Sequence, residues 1–246
     1  MYKYKVVFFL SFSILFYSCD NSVFKNDNPV FSLVTNVSGE IFEIPNDTKI
    51  VKAQVQRDFE NFIIDSIFLD TTNFMLLNLD PLPQESQISI KKLFLPDTTI
   101  FISDENANVN YLLVYAFDSS NNFKGGIYKD NHVANPFTEG YFRVSYLYCD
   151  RTVRISGKSI TVNGQDTNST NYNIDLGIGW NALTIMRKIR RNNFIEQDFY
   201  NGEPEGGKWY FTIDLASHFY FPQLPVFSKS LPENKLNITA DLKHTF

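Results

Sequence analysis

Glu196 and Asp198 stand two residues apart, so an extended backbone places both carboxylates on one face. A pair of acids at a suitable separation can hydrolyse a glycosidic bond, one as proton donor and the other as base or nucleophile. Little else in the chain supports such chemistry. His132, His218 and His244 are scattered, no His-x-x-x-His occurs, and there is no Gly-rich phosphate loop. Asp214 and His218 lie four apart, but the local pattern there is leaving a strand, so the two need not face each other. No Ser/His/Asp set emerges, and a binding or structural protein is expected in preference to an enzyme. A hydrolase is the least favoured alternative.

Metal chemistry has one candidate. Asp104, Asn106 and Asn108 space oxygen ligands as calcium loops do. Val109 stands where such a loop needs Gly, and Tyr115 where it needs Glu, so a solvated turn is the better expectation and no cofactor is implied. A glycan surface would need exposed aromatic rings. Candidates are Trp180, Trp209, Tyr210 and Tyr220 within Phe219-Tyr220-Phe221. Alternation sends Trp209 inward, and Trp180 beside two glycines is expected to pack, leaving Tyr210 and Tyr220 as surface candidates. Arg187-Lys188-Ile189-Arg190-Arg191 is the densest basic run. It would suit an anionic polysaccharide or lipid headgroup, and a solvated hairpin end suits it better.

The elements that carry these residues are strands. The chain has 246 residues with 24 Phe and 13 Tyr, and is 43% apolar, enough for a sizeable core. A net charge of −5 with no basic domain makes nucleic-acid binding an unsuitable role. Val51, Ala53 and Val55 alternate with Lys52, Gln54 and Gln56, a half-buried strand. Phe74 to Leu79 is a short apolar run stopped by Asp80-Pro81-Leu82-Pro83. Ile88 and Ile90 begin another strand. Tyr111 to Phe117 is apolar on both faces and belongs inside a sheet. Asp118 to Asn122 turns the chain and Lys124 to Tyr128 returns it. Val153 to Val162 reads as a hairpin about a type II′ turn at Gly157-Lys158, with Val153, Ile155, Ile160 and Val162 on one face. Tyr172, Ile174 and Leu176 form a strand, Gly177-Ile178-Gly179 a turn, and Trp180 to Lys188 the next strand. No long helical period occurs. The expected fold is all-β, an antiparallel sandwich built as one large or two small units.

Lys3 and Lys5 precede the apolar stretch Val6 to Tyr17, which suits a secretory signal and is too short to span a membrane. Leu15-Phe16-Tyr17-Ser18-Cys19 resembles the relaxed lipoprotein signal common in Bacteroidota. The resemblance implies cleavage after residue 18, acylation of Cys19, and an outer-membrane lipid anchor in the cell envelope. Loss of Lys3 and Lys5 would carry the charge from −5 to −7. Cys149, in the strand-like run Tyr146 to Cys149, would have no intrachain partner and is expected to be a buried small hydrophobe.

Two further patches carry a resemblance. Val37-Ser38-Gly39-Glu40-Ile41, Lys49 to Val55, Asn73-Phe74 and Leu112 to Asn122 resemble transthyretin-like or carboxypeptidase-regulatory-like β-sandwich segments. Tyr172-Asn173-Ile174-Asp175-Leu176-Gly177-Ile178-Gly179-Trp180-Asn181 is similar to a strand-turn-strand of uncharacterised bacterial lipoproteins. These likenesses imply a sandwich and an envelope location, and no catalytic residues. The expected organisation is a signal peptide at 1–18, a polar tether at 19–30, an N-terminal β-sandwich region at 31–135 and a C-terminal β region at 136–246. The expected role is a lipid-anchored structural or protein-binding element, with a surface glycan-binding module as the alternative. Its partners would be the membrane, through the lipid, and an envelope protein or glycan.

Overall fold

A computed structural model describes residues 31–58, 60–94, 99–132, 138–163 and 165–213. Those residues are all-β and sandwich-like. The strands are β1 (Leu33–Val34), β2 (Asn36–Phe42), β3 (Ile50–Arg57), β4 (Glu60–Phe68) and β5 (Phe74–Asn78). After a 3-10 turn at Gln84–Ser86 come β6 (Ile88–Ser89), helix α1 (Ile90–Phe94), β7 (Ile100–Ile102), β8 (Asn108–Tyr111), β9 (Leu113–Phe117) and β10 (Phe123–Asp130). The rest are β11 (Phe142–Cys149), β12 (Val153–Asn163), β13 (Asp166–Leu176), β14 (Gly179–Arg191), β15 (Phe194–Asn201) and β16 (Lys208–Thr212). No helix among the described residues is long and apolar enough to cross a membrane.

Pairing joins the strands into one branched sheet that folds over two cores. The first part runs β5-β2-β16-β10-β9-β3-β4 and curls until β4 meets β5. It encloses Val51, Ala53 and Val55 of β3, as their alternation requires, together with Trp209 and Phe211. The second part runs β8-β11-β14-β15-β13-β12-β7 over Val153, Ile155, Tyr172, Ile174 and Phe199, and α1 contributes Leu93 and Phe94. Strands β11 and β14 belong to both. Phe142, Val144, Tyr146 and Tyr148 enter the first core, while Leu147 and Cys149 enter the second. Of the expected Tyr111 to Phe117 strand, Leu113–Phe117 forms β9 and lies between β3 and β10, an internal place, whereas Tyr111 ends β8 and pairs with β11.

The cores do not divide at residue 135. β16 belongs to the first core, and Ile88 through Tyr111 supplies part of the second, so each draws on both sequence halves. The sheet is also not purely antiparallel. β15 inserts between β13 and β14; being antiparallel to β14, it must run parallel to β13. β16 pairs parallel with β2.

Two expected elements are corrected. Ile90 opens α1 rather than continuing a strand. The chain does not turn at Gly157-Lys158: β12 runs straight through and pairs with β13 along its whole length, Val153 with Leu176 to Asn163 with Asp166. Continuous alternation then separates the four aliphatics. Val153 and Ile155 are buried, whereas Ile160 and Val162 on the opposite face are exposed. The glycine serves close approach instead of a turn. At φ +130° it lies against β7, and a Cβ there would sit 2.3 Å from the Thr99 carbonyl oxygen. The Asp118 to Asn122 turn forms as expected, with Asn121 at φ 63°, and Asn192 at the β14–β15 hairpin and Asn73 in the connection from β4 to β5 also adopt positive φ, 43° and 53°.

Gly157→Ala should cost about 1–3 kcal/mol, because it adds a forbidden backbone angle and a steric clash. Urea denaturation followed by tryptophan fluorescence will measure this. A cost within error of zero would contradict the close approach.

Candidate functional site

Tyr210 sits within a cluster of polar and aromatic side chains, but it is not displayed. It is 8% exposed. β16 has β10 on one side and β2 on the other, so Tyr210 is flanked, and its outer face is roofed. The His132 ring stacks on it at 4.0 Å and 16°, with Phe42 at 5.6 Å and Tyr128 at 6.2 Å. The expectation of a surface stacking residue is therefore corrected at Tyr210: neighbours from three elements cover the ring.

The cluster is organised by Asp130, the last residue of β10, which is 4% exposed. Its carboxylate accepts a 2.8 Å bond from the His132 backbone N–H and a 3.0 Å bond from the Tyr141 hydroxyl. The Arg143 guanidinium stands 3.9 Å away and lies over the Tyr128 ring at 4.6 Å. Burial pushes the Asp130 carboxyl above the usual carboxylate range, opposed by the His132 bond and the Arg143 charge. His132 has φ +44°, a strained angle that the Asp130 bond stabilises, and its Nε2 is 3.5 Å from Glu43. Sequence inspection missed this set. Asp130, Tyr141, Arg143 and Tyr210 are brought together by the β10–β16 and β10–β11 ladders, and no local motif links them.

The remaining candidates resolve into packing and local bonding. Trp180 is 2% exposed, and its indole N–H donates to the Asp80 carbonyl at 2.9 Å. Trp209 points inward, as expected. Cys19, Asp214, His218, Tyr220 and His244 lie outside the described residues. Cys149 is fully buried, and burial pushes its thiol up to about 11, away from a reactive thiolate.

Glu196 and Asp198 do share a face. The Asn171 amide bridges them at 3.2 and 3.0 Å, and Lys158 and Lys188 stand 3.2 and 3.4 Å from the respective carboxylates. The Asn171 hydrogen bond, then that of Lys158, holds Glu196 below its ordinary pKa. A general acid needs the opposite shift. The basic run ends the β14–β15 hairpin, as expected.

The Asp104 turn faces an arginine. Its carboxylate accepts from the Asn106 N–H at 2.9 Å and meets Arg151 at 3.4 Å. Asn108 donates to Asp150 rather than turning its oxygen toward Asp104. Among the described residues, no group of three or more His, Cys, Asp and Glu side chains converges on a common point.

Asp130 yields a pH prediction. Its folded-state pKa is raised, so between the ordinary value near 4 and that raised value the folded chain binds more protons than the unfolded chain. Its contribution to stability therefore falls as pH rises through that window. Asp130→Asn, which keeps an acceptor for His132 and Tyr141, should remove this part of the decline. Melting temperatures recorded from pH 4 to 7 for both proteins will show it, and parallel curves would refute it.

Compared with known proteins, this chain matches no family model, no curated protein and no solved structure.

Proposed function

We propose that this is a lipid-anchored protein of the cell envelope, at the outer membrane, whose β fold serves a structural or protein-binding role. The N-terminal signal and Cys19 support the anchor. Thirteen residues, 20 to 32, separate Cys19 from β1. At about 3.3–3.6 Å per extended residue that is a reach of up to about 45 Å, ample to hold the domain clear of headgroups.

The observation that carries the binding role lies on β4 and β5. Among the described residues each has a backbone ladder on one side only; on the other side the two strands meet, and the Asp65 carboxylate of β4 accepts from the Asn78 N–H of β5 at 2.7 Å. They also display Ile63, Phe68, Phe74 and Leu76 at 58%, 81%, 51% and 49% exposure. Large apolar side chains exposed on adjoining strands are what proteins cover with a partner, since uncovered ones invite aggregation. Binding rather than turnover is also favoured by the lysines that pair with Glu196 and Asp198 and by the buried Cys149 thiol. The glycan alternative has lost two stacking candidates to burial, Trp180 and Tyr210.

Radiolabelled palmitate should enter the wild-type protein and be absent from Cys19→Ala, which should move to the soluble fraction. Label retained in that variant would refute the anchor. A Phe68→Lys/Phe74→Lys variant should stay within about 0.5 kcal/mol of wild-type stability, because both side chains already face water. It should keep its lipid label and lose the envelope proteins that co-purify with the wild type. Unchanged co-purification would place the binding surface elsewhere.

A further inference from the structure

A polar depression of about 340 Å³ lies where the end of β3, the 3-10 turn, α1 and β8 converge. Two cationic side chains line it: Arg57 from the last position of β3, and Lys92 from α1. Gln84, Gln87, Ser89 and Asn108 add amide and hydroxyl groups to the lining. None of the described lining residues is acidic.

Two nearby carboxylates are paired with cations outside the depression, while Glu85, in the same 3-10 turn as Gln84, is exposed to water. Asp150, behind Asn108, is held by Arg151 at 3.1 Å, and Glu105 pairs with Lys91 at 2.5 Å. Asp58 lies 3.3 Å from the Arg57 Nε and is itself 74% exposed, where water weakens its pull. Arg57 is fixed by a 2.7 Å bond from one terminal nitrogen to the Glu85 carbonyl. A guanidinium has five N–H donors, so that bond orients the group and leaves others to offer. Gln87 is anchored by its amide nitrogen to the Leu82 carbonyl at 2.9 Å, and Asn108 by its own to Asp150, so their side-chain positions are set in advance. Ile88, 7% exposed, supplies the one apolar lining side chain.

We propose that this depression binds an acidic saccharide, a polyhydroxylated ring bearing a carboxylate. The carboxylate would take the two cations, and the ring hydroxyls the amide and hydroxyl groups. The volume lies at the small end of ligand sites, about 300–1,000 Å³, which suits one or two rings. Four neutral hydrogen-bonding side chains around two cations match a sugar acid better than a bare anion, which would leave most of them unused. This proposal deepens the glycan alternative and is independent of the lipid anchor, because its measurement needs no membrane.

The test is isothermal titration of the full chain in detergent with D-glucuronate and short oligouronides. Glucose serves as the neutral control and inorganic phosphate as the bare anion. Uronates should bind, with glucose at least about tenfold weaker, since a charge-assisted contact is worth that factor or more. Lys92→Gln and Arg57→Gln should each weaken uronate binding about tenfold or more, with circular dichroism unchanged, and Lys92→Arg should retain most of it. Absence of uronate binding at millimolar concentration, equal binding of glucose, or equal binding of phosphate would overturn the proposal. So would a Lys92→Gln variant of wild-type affinity.

Discussion

The β11–β14 ladder is the constraint on which both cores rest. Eight consecutive pairs join the strands, from Phe142 with Met186 to Cys149 with Gly179. Each strand is buried on both faces, so one pair of backbones forms the wall of two apolar interiors. A large apolar side chain taken out of water contributes about 1.5–3 kcal/mol, and residues 142–149 place six such groups around this wall. Asn181 is the polar group that the wall tolerates. It is fully buried, and its amide bonds the Gly177 and Gly179 carbonyls at 2.9 Å and the Leu147 carbonyl at 3.3 Å, while its oxygen accepts from the Gly177 N–H at 2.8 Å. It ties the 177–179 turn to β11, and Trp180 next to it ties the same turn to Asp80. That gives a physical reason for the Gly-Trp-Asn run: glycine for the turn, tryptophan for the core, asparagine for the buried carbonyls.

Shared walls also position the surface features. Arg57 ends a strand of the first core and Lys92 rides a helix of the second, so their depression exists because β8, β11 and β14 hold the cores side by side. Closing the first core brings β4 against β5 without a backbone ladder, and their outer apolar side chains stay exposed beside that seam. A latch at the other end joins Glu203 to Lys129 and to the Tyr146 hydroxyl at 2.6 Å, securing the connection between β15 and β16 over Trp209. The Asp130 cluster lies near that end. It joins β10 to β11 through side chains where the two strands share only two backbone pairs.

Much of the strand pattern was legible because period-two alternation is local. Val51-Ala53-Val55, the turn at Asp118 to Asn122 and the strand-turn-strand around Gly177 all follow from neighbouring residues. The hairpin at Gly157-Lys158 was misread for an instructive reason. A glycine flanked by β-formers signals a turn or a close backbone approach equally well, and only the presence of Thr99 against β12 decides between them. Tyr210 was misplaced for a related reason. Alternation gives the face of a strand, but the exposure of that face depends on what covers it, and His132, Phe42 and Tyr128 arrive from elsewhere in the chain.

Local pattern alone gives the all-β class, most strand positions, the burial of Trp209 and Cys149, and the Asp118 to Asn122 turn. Each of these depends on propensity or spacing over a few residues. Tertiary structure decided the interleaving of the two cores across residue 135, the parallel placing of β15, the burial of Tyr210, and the placing of Arg57 and Lys92 on one depression. Those outcomes depend on contacts between residues 35 or more positions apart, or on which strand inserts between which, and no local pattern encodes either.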